Sequence, residues 1–205
     1  FAVREARGEY LLFLNNDVEI ITESWLEEML QLCQQKDVGM AGAKLYYPDD
    51  TIQHAGVVVG LGGVAAHVLC KLPRDAEGYM GRLRCVQEIS AVTAACMMVK
   101  TSVFKAVGGF DEELKVAFND IDLCMKVRKY GVKIVFTPYA ELYHYESKSR
   151  GMEDTPEKQL RFSREVNCFR RKWERELLKG DPYYNPNLTL NNTDCSLRKQ
   201  EKNGD

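Results

Sequence analysis

Five consecutive apolar residues, Tyr10-Leu11-Leu12-Phe13-Leu14, run directly into three polar ones, Asn15-Asn16-Asp17. A run this short, with no polar residue alternating in it, reads as a strand buried on both faces, as in a parallel sheet. Similar runs recur at Val38–Ala43, Ala94–Val99 and Val132–Phe136, the last ended by Pro138, and stretches with helical spacing lie between them. Residues 1–7 read as the end of a helix stopped by Gly8. Thr22 or Ser24 caps a helix to about residue 35, with Trp25, Leu26, Met29, Leu30 and Cys33 on one face. Thr101 opens a short helix that ends at Gly108-Gly109. Asn119-Asp120 starts another, with Ile121, Cys124, Met125 and Arg128 on one face, and Gly131 stops it. A long helix from about 156 to 179 aligns Phe162, Val166, Phe169, Trp173 and Leu177. Strands alternating with helices imply an α/β fold.

The glycine-rich stretch from 51 to 85 reads as a strand near 55–60 followed by a mobile loop. From Gly180 the chain is polar and turn-rich and reads as irregular or frayed. Residues 1–180 therefore form the folded part and residues 181–205 an irregular polar tail. The chain has 205 residues, enough for one domain with a real core, and its net charge of −2 gives no reason to expect nucleic acid as a partner. No run of 18 or more apolar residues is present. The seven cysteines, at 33, 70, 85, 96, 124, 168 and 195, contain no C-x-x-C spacing and read as buried free thiols in a reducing cytosol, without a zinc site or a disulfide framework. The Asn187-Leu188-Thr189 and Asn191-Asn192-Thr193 acceptor patterns read as chance.

In open α/β sheets ligands bind beyond the carboxyl ends of strands, so Asn15, Asn16 and Asp17 are the first candidates. A carboxylate there, beside two amides, suits a hard cation such as Mg2+ or Mn2+, which would hold a diphosphate. Asn15-Asn16-Asp17 reads equally as a turn with a helix entry. Asp120 and Asp122 are candidates for a general base that takes a proton from an acceptor hydroxyl, or else they serve the positive end of a helix that Asn119 caps. Neutral His144 could ligate the metal or touch a phosphate, or simply pack among aromatic neighbours. His54, His67 and Asp122 are candidates for an acceptor pocket, with a surface-loop role as the other reading of the two histidines. Lys148 and Arg150 are candidates for a diphosphate. They open the segment 147–180, which holds ten Lys/Arg against six Asp/Glu. Such a helix either packs on the core or rests on an anionic membrane surface. No G-x-G-x-x-G or Walker pattern is present.

Three blocks, in order, give this sequence a family resemblance: Gly8 through Asp17; Gly108-Gly109-Phe110-Asp111-Glu112-Glu113 leading to Phe118-Asn119-Asp120-Ile121-Asp122; and His144 after Pro138. Over residues 1–180 the chain resembles the family-2 glycosyltransferases, in particular the rhamnosyltransferase-like branch of bacterial polysaccharide synthesis. The resemblance implies a GT-A fold, Rossmann-like, with a mixed, mainly parallel sheet flanked by helices and a C-terminal helix. It implies Mg2+ or Mn2+ and inverting transfer from a nucleotide-diphosphate sugar to a saccharide or lipid-linked acceptor, on the cytoplasmic side and with possible peripheral membrane contact. Asp17 matches the last acid of the metal-binding motif, with Asn15 where the first acid often stands and Asn16 between them. Asp120 matches the catalytic base, with Asn119 in place of a Glu, and His144 matches a residue holding the metal or the diphosphate. The family's nucleotide-binding strand and loop would precede Phe1, so the chain is expected to be a C-terminal part with little activity of its own. Asn15 and Asn119 keep open a non-catalytic binding module or scaffold. A different metal-dependent phosphoryl-transfer enzyme is a further alternative.

Overall fold

The computed structural model describes residues 2–146 and 155–199. The elements, in order, are α1 (Ala2–Glu5), β1 (Tyr10–Leu14), β2 (Val18–Ile20), α2 (Trp25–Cys33), β3 (Val38–Tyr46), β4 (Ile52–His54), β5 (Val57–Val59), β6 (Ala65–His67), β7 (Gln87–Glu88), β8 (Cys96–Lys100), α3 (Thr101–Ala106), α4 (Asn119–Tyr130), β9 (Lys133–His144), α5 (Pro156–Lys172) and α6 (Glu174–Lys179). The main sheet is ordered β1-β8-β3-β9-β2, with β4 added to β3 and β7 to β9. The expected mixed α/β architecture is present, but the balance of strand directions differs. β3 and β9 run parallel, whereas β1 with β8, β8 with β3, and β2 with β9 are antiparallel. β1 is an outer strand of that path: Leu11 is buried while Leu12 and Leu14 are exposed. A continuous apolar run does not distinguish a central parallel strand from an outer antiparallel one, and here tertiary context decides.

β3 is the hub, and all nine of its residues are buried. Ala41, Ala43 and Leu45 turn to α2, whose Trp25, Met29, Leu32 and Cys33 recur at i, i+4, i+7 and i+8 as one stripe. Met40 and Tyr46 join the larger core on the other face, with Ile121, Cys124, Phe169 and Trp173. Gly42 makes this packing possible, since a Cβ there would lie 2.3 Å from Cγ1 of Val92. Neither Thr22 nor Ser24 caps α2 through its side chain; the Thr22 hydroxyl instead accepts from the Glu141 amide at 3.3 Å.

β9 runs well past the expected end at Pro138. Gly42 pairs with Phe136 and Lys44 with Glu141, so residues 137–140 bulge out opposite Ala43 alone. Proline lacks an N–H, and a bulge is where a strand can hold it without losing a ladder bond. The strand then resumes and ends with His144 paired to Val18.

The glycine-rich middle is not a loose loop. Val57, Val58, Val59, Leu61, Val64, Val68 and Leu69 are buried in the larger core. The expected long C-terminal helix is broken at Trp173, whose φ of −113° is outside the helical range. Thr155 caps α5 by accepting from the Lys158 amide, and Phe169 and Trp173 are buried, while Phe162 is largely exposed. The segment after Gly180 forms no further helix among the described residues, as expected, but it is not frayed: Tyr184, Leu188 and Cys195 are in the core. All seven cysteines are free, with Cys33, Cys96, Cys124 and Cys195 buried.

Candidate active site

The site forms where β1, β4, β9 and α4 meet at one end of the sheet. Asn16 and Asp17 make the turn from β1 into β2, rather than into a helix. The Asp17 carbonyl accepts from the Tyr145 amide at 2.8 Å, which ties this turn to the end of β9. The Asp17 Oδ1 and His144 Nε2 atoms consequently lie 3.3 Å apart. Asn15 joins them, its Nδ2 lying 2.9 Å from the same ring nitrogen. Asn16 is exposed and makes no contact of this kind among the described residues.

His144 is 8% exposed, and burial pulls its pKa below the ordinary value of 6.5 even though Asp17 and Glu146 act the other way. The neutral imidazole is therefore the form at neutral pH. Its Nδ1 lies 2.6 Å from Oε1 of Gln53, a β4 residue that no sequence motif marks. Asp17 Oδ1 is buried and has no hydrogen-bond donor. An orphaned carboxylate oxygen next to a neutral imidazole is an arrangement that a cation satisfies. Among the described residues no three His, Cys, Asp or Glu side chains converge. The donor set thus fits a hard ion that keeps most of its shell from water and phosphate oxygens, as Mg2+ does, and not a closed protein cage.

Asp120 reaches the same end from the first turn of α4. Its Oδ2 accepts from the Ala94 amide at 3.1 Å and its Oδ1 from the Ile121 amide at 2.8 Å. The neighbouring Ala95 carbonyl accepts from the Asn15 amide at 3.0 Å, so one short segment ties the exit of β1 to the start of α4. Asn119 is not the cap of α4. That position belongs to Phe118, held at φ 62° with no side-chain cap and stacked near Phe162 and Phe169 at 5.7 and 5.4 Å.

Two expected acceptor contacts are placed elsewhere. The Asp122 side chain is fully buried: its Oδ1 lies 2.7 Å from Lys172 Nζ and accepts from Trp173 Nε1 at 2.8 Å, and its Oδ2 lies 3.0 Å from Lys126 Nζ. It anchors the C-terminal helices, because residues two apart on a helix face different sides. His54 is also fully buried, edge-on to the partly buried His67 at 4.8 Å. It is neither a surface-loop residue nor open to a ligand. Lys148 and Arg150 lie outside the described residues.

Burial first, then His67 and His144, push the His54 pKa well below 6.5. The folded chain thus binds fewer protons here than the unfolded chain does. Stability from this group is complete above about pH 6.5 and is lost as the pH falls below it. Urea midpoints are expected to drop from pH 7.5 to 5.5, and the drop should shrink in His54→Gln; an equal drop in both proteins would show that His54 is not responsible.

A second polar cluster lies on the opposite face of β9, and sequence reading missed it. Arg74 lies 3.3 Å from Glu141 and 3.4 Å from Asp50, and its guanidinium stacks 4.9 Å over Tyr46. Lys44 is nearly fully buried beside it, donates to the Leu83 carbonyl at 3.2 Å, and has its pKa lowered by that burial. These residues are scattered from 44 to 141 and share no motif, so only the fold assembles them.

Residues 1–165 match a family described as a glycosyltransferase-like family. The chain belongs to this family. It is 56% identical over 197 residues to the protein y4gI of Sinorhizobium fredii, covering 96% of this chain and 22% of that one. It is 40% identical over 206 residues to the O-antigen biosynthesis protein RfbC of Myxococcus xanthus, covering 100% of this chain and 16% of that one. The chain therefore spans about a fifth of the length of these relatives. Among solved structures it resembles the mannosyltransferase PcManGT of Pyrobaculum calidifontis in complex with GDP-Man and Mn2+, with a TM-score of 0.53 and 16% identity over 85% of this chain and 41% of that one. The fold is that of the GT-A glycosyltransferases. No helix among the described residues is long and apolar enough to cross a membrane.

Proposed function

We propose that this glycosyltransferase-like chain carries the metal- and base-bearing end of an inverting transfer from a nucleotide-diphosphate sugar to a saccharide or lipid-linked acceptor in surface-polysaccharide synthesis. One observation carries the reading: a buried, donorless Asp17 oxygen faces neutral His144 at the end of the sheet that Asp120 also reaches. The association of the relative RfbC with O-antigen synthesis supports the product class, and the Mn2+ and GDP-Man held by PcManGT support the donor class.

In this reading Asp17 and His144 hold Mg2+ or Mn2+, which when bound offsets the charge of the departing diphosphate. Both Asp120 oxygens are held by backbone N–H groups, and each keeps a lone pair for a further proton. The acceptor hydroxyl gives its proton to Asp120 while its oxygen bonds to the anomeric carbon. The bond from that carbon to the diphosphate breaks on the opposite face, and the electron pair leaves with the nucleoside diphosphate. Catalysis here is positioning plus charge stabilisation.

Asp17→Asn is expected to weaken Mn2+ binding at least about 10-fold, because one of two protein ligands loses its charge. Electron paramagnetic resonance of free Mn2+ in titrations of the chain would show it. Binding equal to that of the unsubstituted chain would refute the site. The presence of Asn15, whose amide rather than a second carboxylate faces His144, favours one rival: a non-catalytic module on the same fold. Release of nucleoside diphosphate from UDP-, GDP- or dTDP-sugars in the presence of acceptor would exclude that rival. The reading also includes peripheral contact with an anionic membrane at the cytoplasmic side, through α5, which exposes Leu160 and Phe162 next to Arg164.

A further inference from the structure

Gln53 sits at the centre of β4 with only 3% of its surface exposed, so its amide must find partners inside the protein. Its Nε2 can only donate, and it faces two acceptors: the His144 carbonyl at 3.2 Å and Glu146 Oε2 at 3.3 Å. That fixes the orientation of the amide and turns Oε1 toward His144 Nδ1 at 2.6 Å. A carbonyl oxygen can only accept, so Nδ1 carries the proton. A neutral imidazole has one N–H, and Nε2 is left bare, 3.3 Å from Asp17 Oδ1. The Gln53 backbone is anchored too, since its carbonyl lies 2.9 Å from His67 Nδ1.

We infer that Gln53 is the positioning residue of the cation site, selecting the Nδ1–H tautomer of His144 so that the Nε2 lone pair is presented next to Asp17. The inference rests on Asp17 and His144 being the cation ligands. The other tautomer has a definite consequence: an Nε2–H would donate to Asp17 Oδ1, convert the pair into an ordinary hydrogen bond, and close the site to a cation. Gln53 decides between these two states, much as partners behind a metal-bound histidine set ring orientation and basicity.

The test uses the full chain with Mn2+ alone. Gln53→Met keeps the length of the side chain and removes the acceptor; it is expected to weaken Mn2+ binding about 10-fold or more. Gln53→Glu restores an acceptor for Nδ1–H and is expected to bring affinity back to within about 3-fold of the unsubstituted chain. Long-range 1H–15N spectra of His144 supply a readout that a loss of packing alone would not produce. The unsubstituted chain should show a bare Nε2, and Gln53→Met a shift toward Nε2–H. A protonated Nε2 in the unsubstituted chain, or undiminished Mn2+ binding by Gln53→Met, overturns the assignment. Asp17→Asn measured alongside separates the two failures. If it binds Mn2+ normally, the cation site itself is wrong; if it has lost binding while Gln53→Met has not, the cation site stands and the role of Gln53 falls.

Discussion

Asp120→Asn is expected to lower kcat by about 10^2- to 10^4-fold with little change in KM, the usual effect of removing a general base. Asparagine has almost the same shape, so α4 and the β1 exit stay in place. The cost to the fold is about 1 kcal/mol, because the Ala94 and Ile121 amides, which both donate to the carboxylate, would compete for one amide oxygen. Initial rates of nucleoside diphosphate release with acceptor present, together with a urea midpoint, separate chemistry from folding. Unchanged turnover at an unchanged midpoint would remove Asp120 from the mechanism. A collapse of the midpoint would show instead that its two backbone bonds are its main task.

The opposite pattern is expected for Asp122, two residues along. Asp122→Ala leaves Lys126, Lys172 and the Trp173 indole without the carboxylate they share, in a place where that carboxylate is wholly shielded from water. Breaking such a buried cluster costs about 3 kcal/mol here, toward the low end of the usual range, because Lys172 keeps Asp111 at 2.5 Å. The urea midpoint should fall accordingly, with KM for the acceptor unaffected in the fraction that remains folded. An altered KM at a constant midpoint would instead return Asp122 to the acceptor site.

Much of the fold was legible because local signals and tertiary packing agree. The α2 stripe, the stop at Gly131, the strand at Val38 and the turn after Leu14 each follow from spacing or backbone freedom that the residues themselves carry. What was not legible is information that lies in a partner. Whether Tyr10–Leu14 pairs parallel or antiparallel depends on β8, which lies 80 to 90 residues later in sequence. Pro138 is a sound stop signal in isolation, and only the bulge opposite Ala43 lets β9 continue to His144. Val57, Val58 and Val59 were hidden among glycines that suggested a loop.

The candidate site divides in the same way. Asp17, Asn15 and His144 stand in motifs, and the structure brings them together. Gln53 has no motif, since its importance comes from what faces each end of one amide. Asp122 could have been set aside from the sequence, because helix geometry separates it from Asp120 by more than half a turn.

The C-terminal helices are joined to the first turn of α4 by more than apolar packing. Glu165 accepts from three successive backbone amides, those of Lys115, Val116 and Ala117, at 3.0 to 3.1 Å. These amides lie immediately upstream of Phe118 and Asp120. The family match closes at residue 165, on this very glutamate, yet Phe169, Trp173, Tyr184, Leu188 and Cys195 belong to the same core. An excision made at the family boundary would therefore sever the buttress of the proposed base while leaving the sheet untouched. Any graft or chimera built on this catalytic end has to carry the chain through Cys195 as one indivisible piece.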